Sequence, residues 1–290
     1  MNIFKLKPYI LPTDIVLFAY LVVTSIYVLI FHQHIDSLWQ IMGARVLIVL
    51  VMGQIMLLHK ITNSIWIKEL HLLIPLLLMG YLYGETHYMN QAIFHENLDP
   101  LFVQLDQSLF GMQPSILFSQ YYNSHFFSEL MYLGYISYYF QIIGITAVYY
   151  FKDKIKLPKT IFLIFNSFLI YYLVYAVLPV VGPQFHFDGA DALPIKDGFF
   201  AEFMQWINHN FEKPTGAFPS SHVGMTFIFA FLALKTSKKL FYIFLPFTVL
   251  ILFSTVYIKA HYAVDIIGGI ISAPIVFYIS SKAFRLLSSE

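Results

Sequence analysis

Eight runs of roughly twenty apolar residues, longer than the core helices of most small soluble domains, constrain this chain more than any other feature. They extend from Thr13 to Phe31, Ile41 to His59, Trp66 to Tyr83, Phe126 to Phe151, Thr160 to Val181, Ser220 to Leu234, Leu240 to Tyr257 and Val264 to Ala283. In a bilayer the backbone must satisfy its own hydrogen bonds, so runs of this length form helices. The alternating ten-residue pattern of a membrane barrel is absent. With 59% hydrophobic and 11% charged residues and a mean hydropathy of +0.70, the chain lacks the charge to cover a water-exposed surface. The expectation is an all-α, polytopic membrane helical bundle of about eight transmembrane helices. Lys5 and Lys7 precede the first run as they would in a signal peptide. That run is long and ends in Phe31, His32 and Gln33 rather than in small residues, so it reads as an uncleaved span. The absence of cysteine excludes disulfides, thiolate nucleophiles and Cys-ligated zinc.

Threading eight spans sorts the charges into two faces. One side receives Lys5, Lys7, Lys60, Lys68, Lys152, Lys154, Lys156, Lys159, Lys235, Lys238, Lys239, Lys282 and Arg285, which is 13 of the 17 basic residues. The other keeps Arg45, Lys196, Lys213 and Lys259 but holds 12 of the 16 acidic residues, among them Glu85, Glu96, Asp99, Asp106, Asp188, Asp191 and Asp265. The positive-inside rule places the lysine-rich face, with both termini, in the cytoplasm. The segment KDKIKLPK is then an orienting loop, and nucleic acid is not an expected partner.

Polar chemistry collects on the acidic face. GAFPSSH, Gly216 to His222, opens the sixth span. Pro219 suits a first helical turn, Ser220 and Ser221 suit its cap, and a helix start offers free N–H groups and partial positive charge to a phosphate. His222 stands beside that start. The bland alternative is an ordinary cap with an interfacial histidine. A second cluster, STVYIKAHYAVDIIGG from Ser254 to Gly269, returns to the same face. His261 and Asp265 are four apart, a spacing that places a carboxylate beside an imidazole Nδ1–H and leaves Nε2 free to attack. Ser254 lies seven residues earlier, near the same azimuth on a continuous helix. A purely structural His–Asp clasp is the alternative, but ionisable groups at membrane depth are costly and tend to be functional. A third piece, YAVLPVVGPQF from Tyr175 to Phe185, stops the fifth span on this face.

FPSSH and STVYIKAHYAVD together resemble the second and third signature motifs, PSGH and SRxxxxxHxxxD, of the type 2 phosphatidic acid phosphatase superfamily. The chain is most similar to the branch containing inositol phosphorylceramide synthases, with further likeness in LDQSLFG, Leu105 to Gly111, and PVVGPQF, Pro179 to Phe185. The resemblance covers roughly Trp66 to Ala283. It implies a six-helix catalytic core, residues 66–290, preceded by two added helices, residues 1–65. It also implies His261 as a nucleophile forming a phosphohistidine, Asp265 as its orienting partner and His222 as the proton donor and later base. Ser220, Ser221 and Ser254 would help hold the phosphoryl oxygens. The chemistry implied requires no metal or other cofactor.

Two departures bear on the substrate. The usual KxxxxxxRP motif is missing, with Val177 in place of its Lys and Gln184 in place of its Arg, and Thr255 replaces the Arg that follows Ser254. Lys259 becomes the best remaining cation, Gln184 a neutral donor, and Lys213 and Arg45 distant alternatives. A clamp this poor in charge favours a phosphodiester, or an otherwise specialised substrate, over a phosphate dianion. Glu85, His87, His95 and Glu96, like His32 and His34, have zinc-ligand chemistry but match no metal spacing. YISYYFQ, Tyr135 to Gln141, reads as packing surface or as the wall of a substrate passage, and Phe199 to Phe211 as an interfacial helix over the site. The expected function is that of an integral membrane lipid phosphatase, in a bacterial inner membrane, hydrolysing the phosphate ester of a lipid at the extracytoplasmic face. The alternatives are a headgroup phosphotransferase that passes the phosphoryl group to an alcohol, and a non-catalytic lipid binder or transporter. A vanadate or phosphate ion bridging Ser220, His222 and His261 would favour an enzyme, and a closed cleft with these side chains more than about 10 Å apart the binder.

Overall fold

The computed structural model describes residues 9–187 and 197–288, so Lys5, Lys7, Asp188, Asp191 and Lys196 lie outside the described residues. Twelve α-helices follow one another: α1 (Pro12–Ile30), α2 (Leu38–Ile61), α3 (Ile65–Thr86), α4 (Asp99–Phe110), α5 (Pro114–Tyr121), α6 (His125–Lys152), α7 (Leu157–Tyr175), α8 (Pro183–His186), α9 (Phe199–Phe211), α10 (Ser221–Thr236), α11 (Lys238–Tyr257) and α12 (Ala263–Ser288). There is no strand among the described residues, and the chain is a polytopic helical bundle.

Six of these helices, α1, α2, α3, α7, α11 and α12, are long and apolar enough to cross a membrane. Two of the eight anticipated spans fall outside that set, each for a physical reason. The α10 helix has only 16 residues, and α6, although 28 residues long, spends much of its length on tyrosines, serines and a glutamine. The α10 helix sits inside the bundle, packing against α6, α7, α11 and α12. The fifth run also stops earlier than its apolar stretch suggests. The α7 helix ends at Tyr175, and Ala176 to Val181 form an irregular segment leading to α8. Short helices α4 and α5, absent from the hydropathy pattern, stand where polar residues alternate with apolar ones.

One apolar cluster runs through the middle, joining Leu17 of α1, Met52 of α2, Leu82 of α3, Ile164 and Phe165 of α7, Phe229 of α10 and Ile251 of α11. Buried charge fastens α1 and α2 to the rest. Arg45 of α2 donates from Nε to Glu85 Oε1 at 3.0 Å and from Nη2 to Oε2 at 2.8 Å, and its Nη1 reaches Ser25 of α1 at 2.8 Å. At the other end of these helices Asp14 meets His71 Nε2 at 3.0 Å, and His71 Nδ1 meets His59 Nδ1 at 2.8 Å. Arg45 is therefore committed to Glu85 rather than to a phosphate. Replacing Arg45 by Met leaves a buried carboxylate without its partner, which costs about 3–5 kcal/mol. A lowered unfolding midpoint in detergent is the expected result, with most of the loss regained in the Arg45→Met/Glu85→Met double variant.

Lysine-rich ends gather at one pole. Lys154 bonds Glu69 at 2.9 Å, and the Lys159 ammonium lies 5.1 Å from the centre of the Phe284 ring. These contacts bring the start of α3, the α6–α7 turn and the end of α12 together. The opposite pole holds α8, α9 and the segments 212–220 and 258–263. There α9 packs on α6, with Glu129 of α6 accepting the first-turn amides of Phe200 and Ala201 at 3.0 and 2.9 Å. Ala201, Met204 and Ile207 face inward while Phe199 and Trp206 are exposed, as an interfacial helix requires.

Candidate active site

Three chain segments meet at the pole opposite the lysines, and buried carboxylates hold them there. Asp99, at the first residue of α4, accepts the backbone N–H of Val181 at 3.0 Å, that of Gly182 at 2.9 Å and the hydroxyl of Tyr262 at 2.9 Å. Asp106, two turns later, accepts the amides of Ala263 and Val264 at 3.0 and 2.9 Å, which caps the start of α12. Gly182 takes φ +92°, and a Cβ there would lie 2.6 Å from the carbonyl oxygen of Ala260, so the two loops touch only because this residue has no side chain. Gly269 plays the same part between α12 and α10, where a Cβ would meet the Ser220 carbonyl at 2.7 Å.

Ser220 caps α10. Its Oγ accepts the Val223 amide at 3.3 Å, and its own N–H donates to the Asp265 carbonyl at 3.1 Å. Pro219 therefore precedes the cap, after a cis Phe218–Pro219 bond, rather than occupying the first turn. Tyr175 closes the junction from α7. Its hydroxyl donates to the Pro219 carbonyl at 2.8 Å and accepts the Ser221 amide at 3.0 Å. Two first-turn amides are thus already occupied, which leaves a smaller backbone cradle than the sequence alone suggests. Ser221 is buried and lines the adjoining cavity.

The imidazoles of His222 and His261 are in contact, His222 Nδ1 lying 3.3 Å from His261 Nε2. His261 precedes α12 instead of sharing a helical face with Asp265. Its closest Nδ1 partner is the Ala217 carbonyl at 2.8 Å, and Asp265 Oδ2 stands farther off at 3.4 Å. Asp265 Oδ2 accepts the Tyr262 amide at 2.9 Å, while Oδ1 is buried with no hydrogen-bond partner among the described residues. Burial pushes His261 down to about 4, against the Ala217 carbonyl and Glu212, which both raise it. A neutral ring with Nδ1–H bonded to a carbonyl keeps a lone pair on Nε2. His222 is sandwiched by tyrosines, with the ring centres of Tyr138 and Tyr135 at 4.4 and 4.6 Å. The YISYYFQ segment is therefore the wall of the site, and Gln141, one turn deeper, accepts from Thr226 of α10.

The remaining expected residues divide. Lys259 is buried with φ +65°, and its carbonyl accepts the Gln184 amide at 2.8 Å, so these two adjoin the His261 loop. Ser254 is not brought to the imidazoles. The α11 helix ends at Tyr257, and the Ser254 hydroxyl bonds the Leu250 carbonyl at 2.8 Å, fitted against Gly134 of α6. Glu85, His87 and His95 are spent separately, on Arg45, on the Pro214 carbonyl and on the Gln91 carbonyl. Among the described residues no three His, Cys, Asp or Glu side chains stand together as a metal site would need.

Glu212 is the functional candidate that sequence reasoning missed. It follows α9 and enters a cavity of about 300 Å³ whose polar end is formed with Tyr83, Tyr138, Ser221 and His222 and whose body is apolar, including Leu76, Ile142 and Phe168. Burial raises its carboxyl above the usual range, opposed by His261 and by hydrogen bonding from Tyr135 and Tyr83. Among the described residues no Lys or Arg lines this cavity. A single acid in a polar loop carries no spacing signal; Asp106 lay within LDQSLFG, and Asp99 was read only as one of the acids on that face.

A family model described as the PAP2 superfamily matches residues 101–279, a stretch that begins in α4, ends in α12 and includes every segment of the site except the wall given by α3. No curated protein and no solved structure matches the chain.

Proposed function

This chain belongs to the PAP2 superfamily, generally phosphoesterases, and we propose that it is a lipid phosphatase or phosphotransferase working through a phosphohistidine on His261. The observation that carries this reading is the contact of the two imidazoles, with Nδ1 of one tied to the Ala217 carbonyl. In the first step the His261 Nε2 lone pair attacks phosphorus in line with the departing oxygen. The P–O bond to the leaving group breaks as the N–P bond forms, and protonated His222 gives its proton to that oxygen. In the second step water or an alcohol loses a proton to His222 and attacks phosphorus, the N–P bond breaks, and His261 is restored. Asp265, at 3.4 Å, favours the positive charge that His261 gains when it bears the phosphoryl group. Ser220 and Ser221, at the start of the helix that carries His222, and Lys259 and Gln184, on the segments adjoining His261, are the groups proposed to bind the phosphoryl oxygens. With the lysine-rich pole in the cytoplasm, the site opens at the extracytoplasmic face of the membrane.

Glu212 bears on the substrate. In its ionised form the Glu212 carboxylate, in a cavity with no Lys or Arg among its described lining residues, disfavours a phosphate dianion more than the single charge of a phosphodiester. Glu212→Gln is expected to raise kcat/KM for a phosphomonoester lipid severalfold and to leave a phosphodiester lipid less affected. A second cavity favours transfer to an alcohol as the other reading. It measures about 540 Å³, lies between α2, α3 and the end of α9, and presents Gln40, Tyr81, Asn210 and Lys213 beside the Glu212 segment. A polyhydroxyl acceptor has hydrogen-bond partners there.

The test is turnover by purified protein in detergent, with phosphatidic acid and phosphodiester lipids, with and without chelator, and with inositol or glycerol as acceptor. Release of phosphate or of headgroup phosphate unaffected by chelator supports the hydrolase, and a new phosphodiester supports transfer. Turnover that persists in His261→Ala would refute the nucleophile. His222→Ala is expected to cost roughly 10²–10⁴-fold with an alkyl leaving group. It should cost far less with a nitrophenyl phosphoester, whose leaving oxygen needs no proton.

A further inference from the structure

We propose that the lysine-rich pole carries a binding site for an anionic phospholipid, its headgroup in a cleft between α7, α10 and α12 and an acyl chain in the groove that continues from it. The cleft measures about 800 Å³ and is lined by Lys156, Lys159, Lys235 and Arg285 together with Thr160 and Ser281. Among the described residues none that lines it is acidic. Asp153 neutralises Lys156 from outside at 2.6 Å, and Lys235 and Arg285 are the lining cations on which the positive charge facing the cleft is argued. Two of these cations are held over aromatic walls, Lys159 at 5.1 Å from the Phe284 ring centre and Lys235 at 5.0 Å from that of Phe231. Stems laid along rings keep the ammonium heads at the mouth of the cleft.

What distinguishes this cleft from a merely orienting set of lysines is its continuity with an apolar groove. Phe231 of α10 and Phe277 of α12, edge to face at 4.7 Å, line both. Beyond them a groove of about 250 Å³ runs between the two helices over Phe227, Ile270, Ala273 and Pro274. A cationic recess opening into a hydrocarbon groove at one end of a membrane bundle has the shape and charge of an anionic lipid, phosphate below and chain along the helices. A soluble anion would use the first part and leave the second empty. The site is remote from catalysis, because the 16 residues of α10 separate Lys235 from His222 by about 20 Å. It nevertheless touches α10 and α12, the helices that carry Ser221, His222 and Asp265 at their other ends.

The test is lipid retention by the purified full chain in detergent, read by native mass spectrometry with phosphatidylglycerol, phosphatidylcholine and soluble glycerol phosphate as probes. The expected result is at least a tenfold preference for phosphatidylglycerol over phosphatidylcholine, with glycerol phosphate binding far more weakly than the lipid. That preference should be lost in Lys159→Gln/Lys235→Gln/Arg285→Gln and kept in Lys238→Gln/Lys239→Gln, which removes two cations at the same pole but outside the cleft. Lys235 is exposed, so the single Lys235→Gln variant, expected to weaken retention severalfold, guards against misfolding of the triple variant. Equal losses in the triple and the control variants would overturn the site in favour of general surface attraction. Glycerol phosphate binding as tightly as the lipid would overturn the role of the groove.

Discussion

The His261→Ala variant is expected to show no turnover above background, a fall of roughly 10⁴-fold or more in kcat/KM, as follows when a covalent nucleophile is removed. The reason is geometric. His222 faces the same space, but it is the Nε2 of His261 whose lone pair is left available by the Nδ1 bond to the Ala217 carbonyl, whereas the Nδ1 of His222 is turned to that Nε2. The fold should survive, since the substitution removes the contacts of one imidazole with Ala217, His222 and Asp265 at a junction otherwise tied by Asp99, Asp106 and Tyr175. A rapid alkaline quench with labelled substrate checks the intermediate directly. Wild type should carry label on protein and His261→Ala none. The acid side of the profile adds a second reading. Because burial pushes His261 down to about 4, the ring remains neutral as pH falls through 6.5, and labelling should persist well below the pH at which an exposed histidine would protonate. Labelling that disappears around pH 6.5 would count against this nucleophile.

The second large effect is structural. Asp99→Ala is expected to destabilise the protein by roughly 3–5 kcal/mol, because two amides and a tyrosine hydroxyl lose one buried carboxylate. The damage should reach the site through a short chain of contacts. Asp99 holds Val181 and Gly182, Val180 accepts the Ala217 amide at 3.0 Å, and Ala217 in turn holds His261. Activity should therefore fall together with stability, while Asp99→Asn, which keeps one acceptor oxygen, should lose less of both. Unfolding in detergent and turnover at low temperature separate the two effects. A wild-type midpoint in Asp99→Ala would mean that the three donors find other partners and that the carboxylate is not the tie.

Much of this was legible beforehand, for reasons that can be named. The length of an apolar run sets whether it becomes a helix, and that property is local, which is why seven of the eight runs closely match helices and Phe199 to Phe211 was anticipated to the residue. The run from Thr160 to Val181 failed at its end because hydropathy does not register the loss of helical geometry after Tyr175, where the chain turns toward Gly182. His222 and His261 were legible because two motifs, each ordinary alone, sit at helix ends that a simple threading returns to one face. Ser254 was misplaced by the assumption of a continuous helix through Ile258, where α11 has already ended. Tyr135 and Tyr138 could be read as wall or as packing, and only contact with His222 decides between them.

The sequence by itself determined the solvent, the helical class, the polarity of the two ends and the pair of histidines, because each depends on composition or on spacing along one short segment. Tertiary structure alone decided which polar atoms meet. A backbone carbonyl of Ala217 rather than the Asp265 carboxylate became the near partner of His261, Arg45 was drawn to Glu85, and Glu212 was carried into the cavity lined by Ser221 and His222. Such pairings join residues tens of positions apart, and their energies depend on distance and burial, which exist only once the helices have packed.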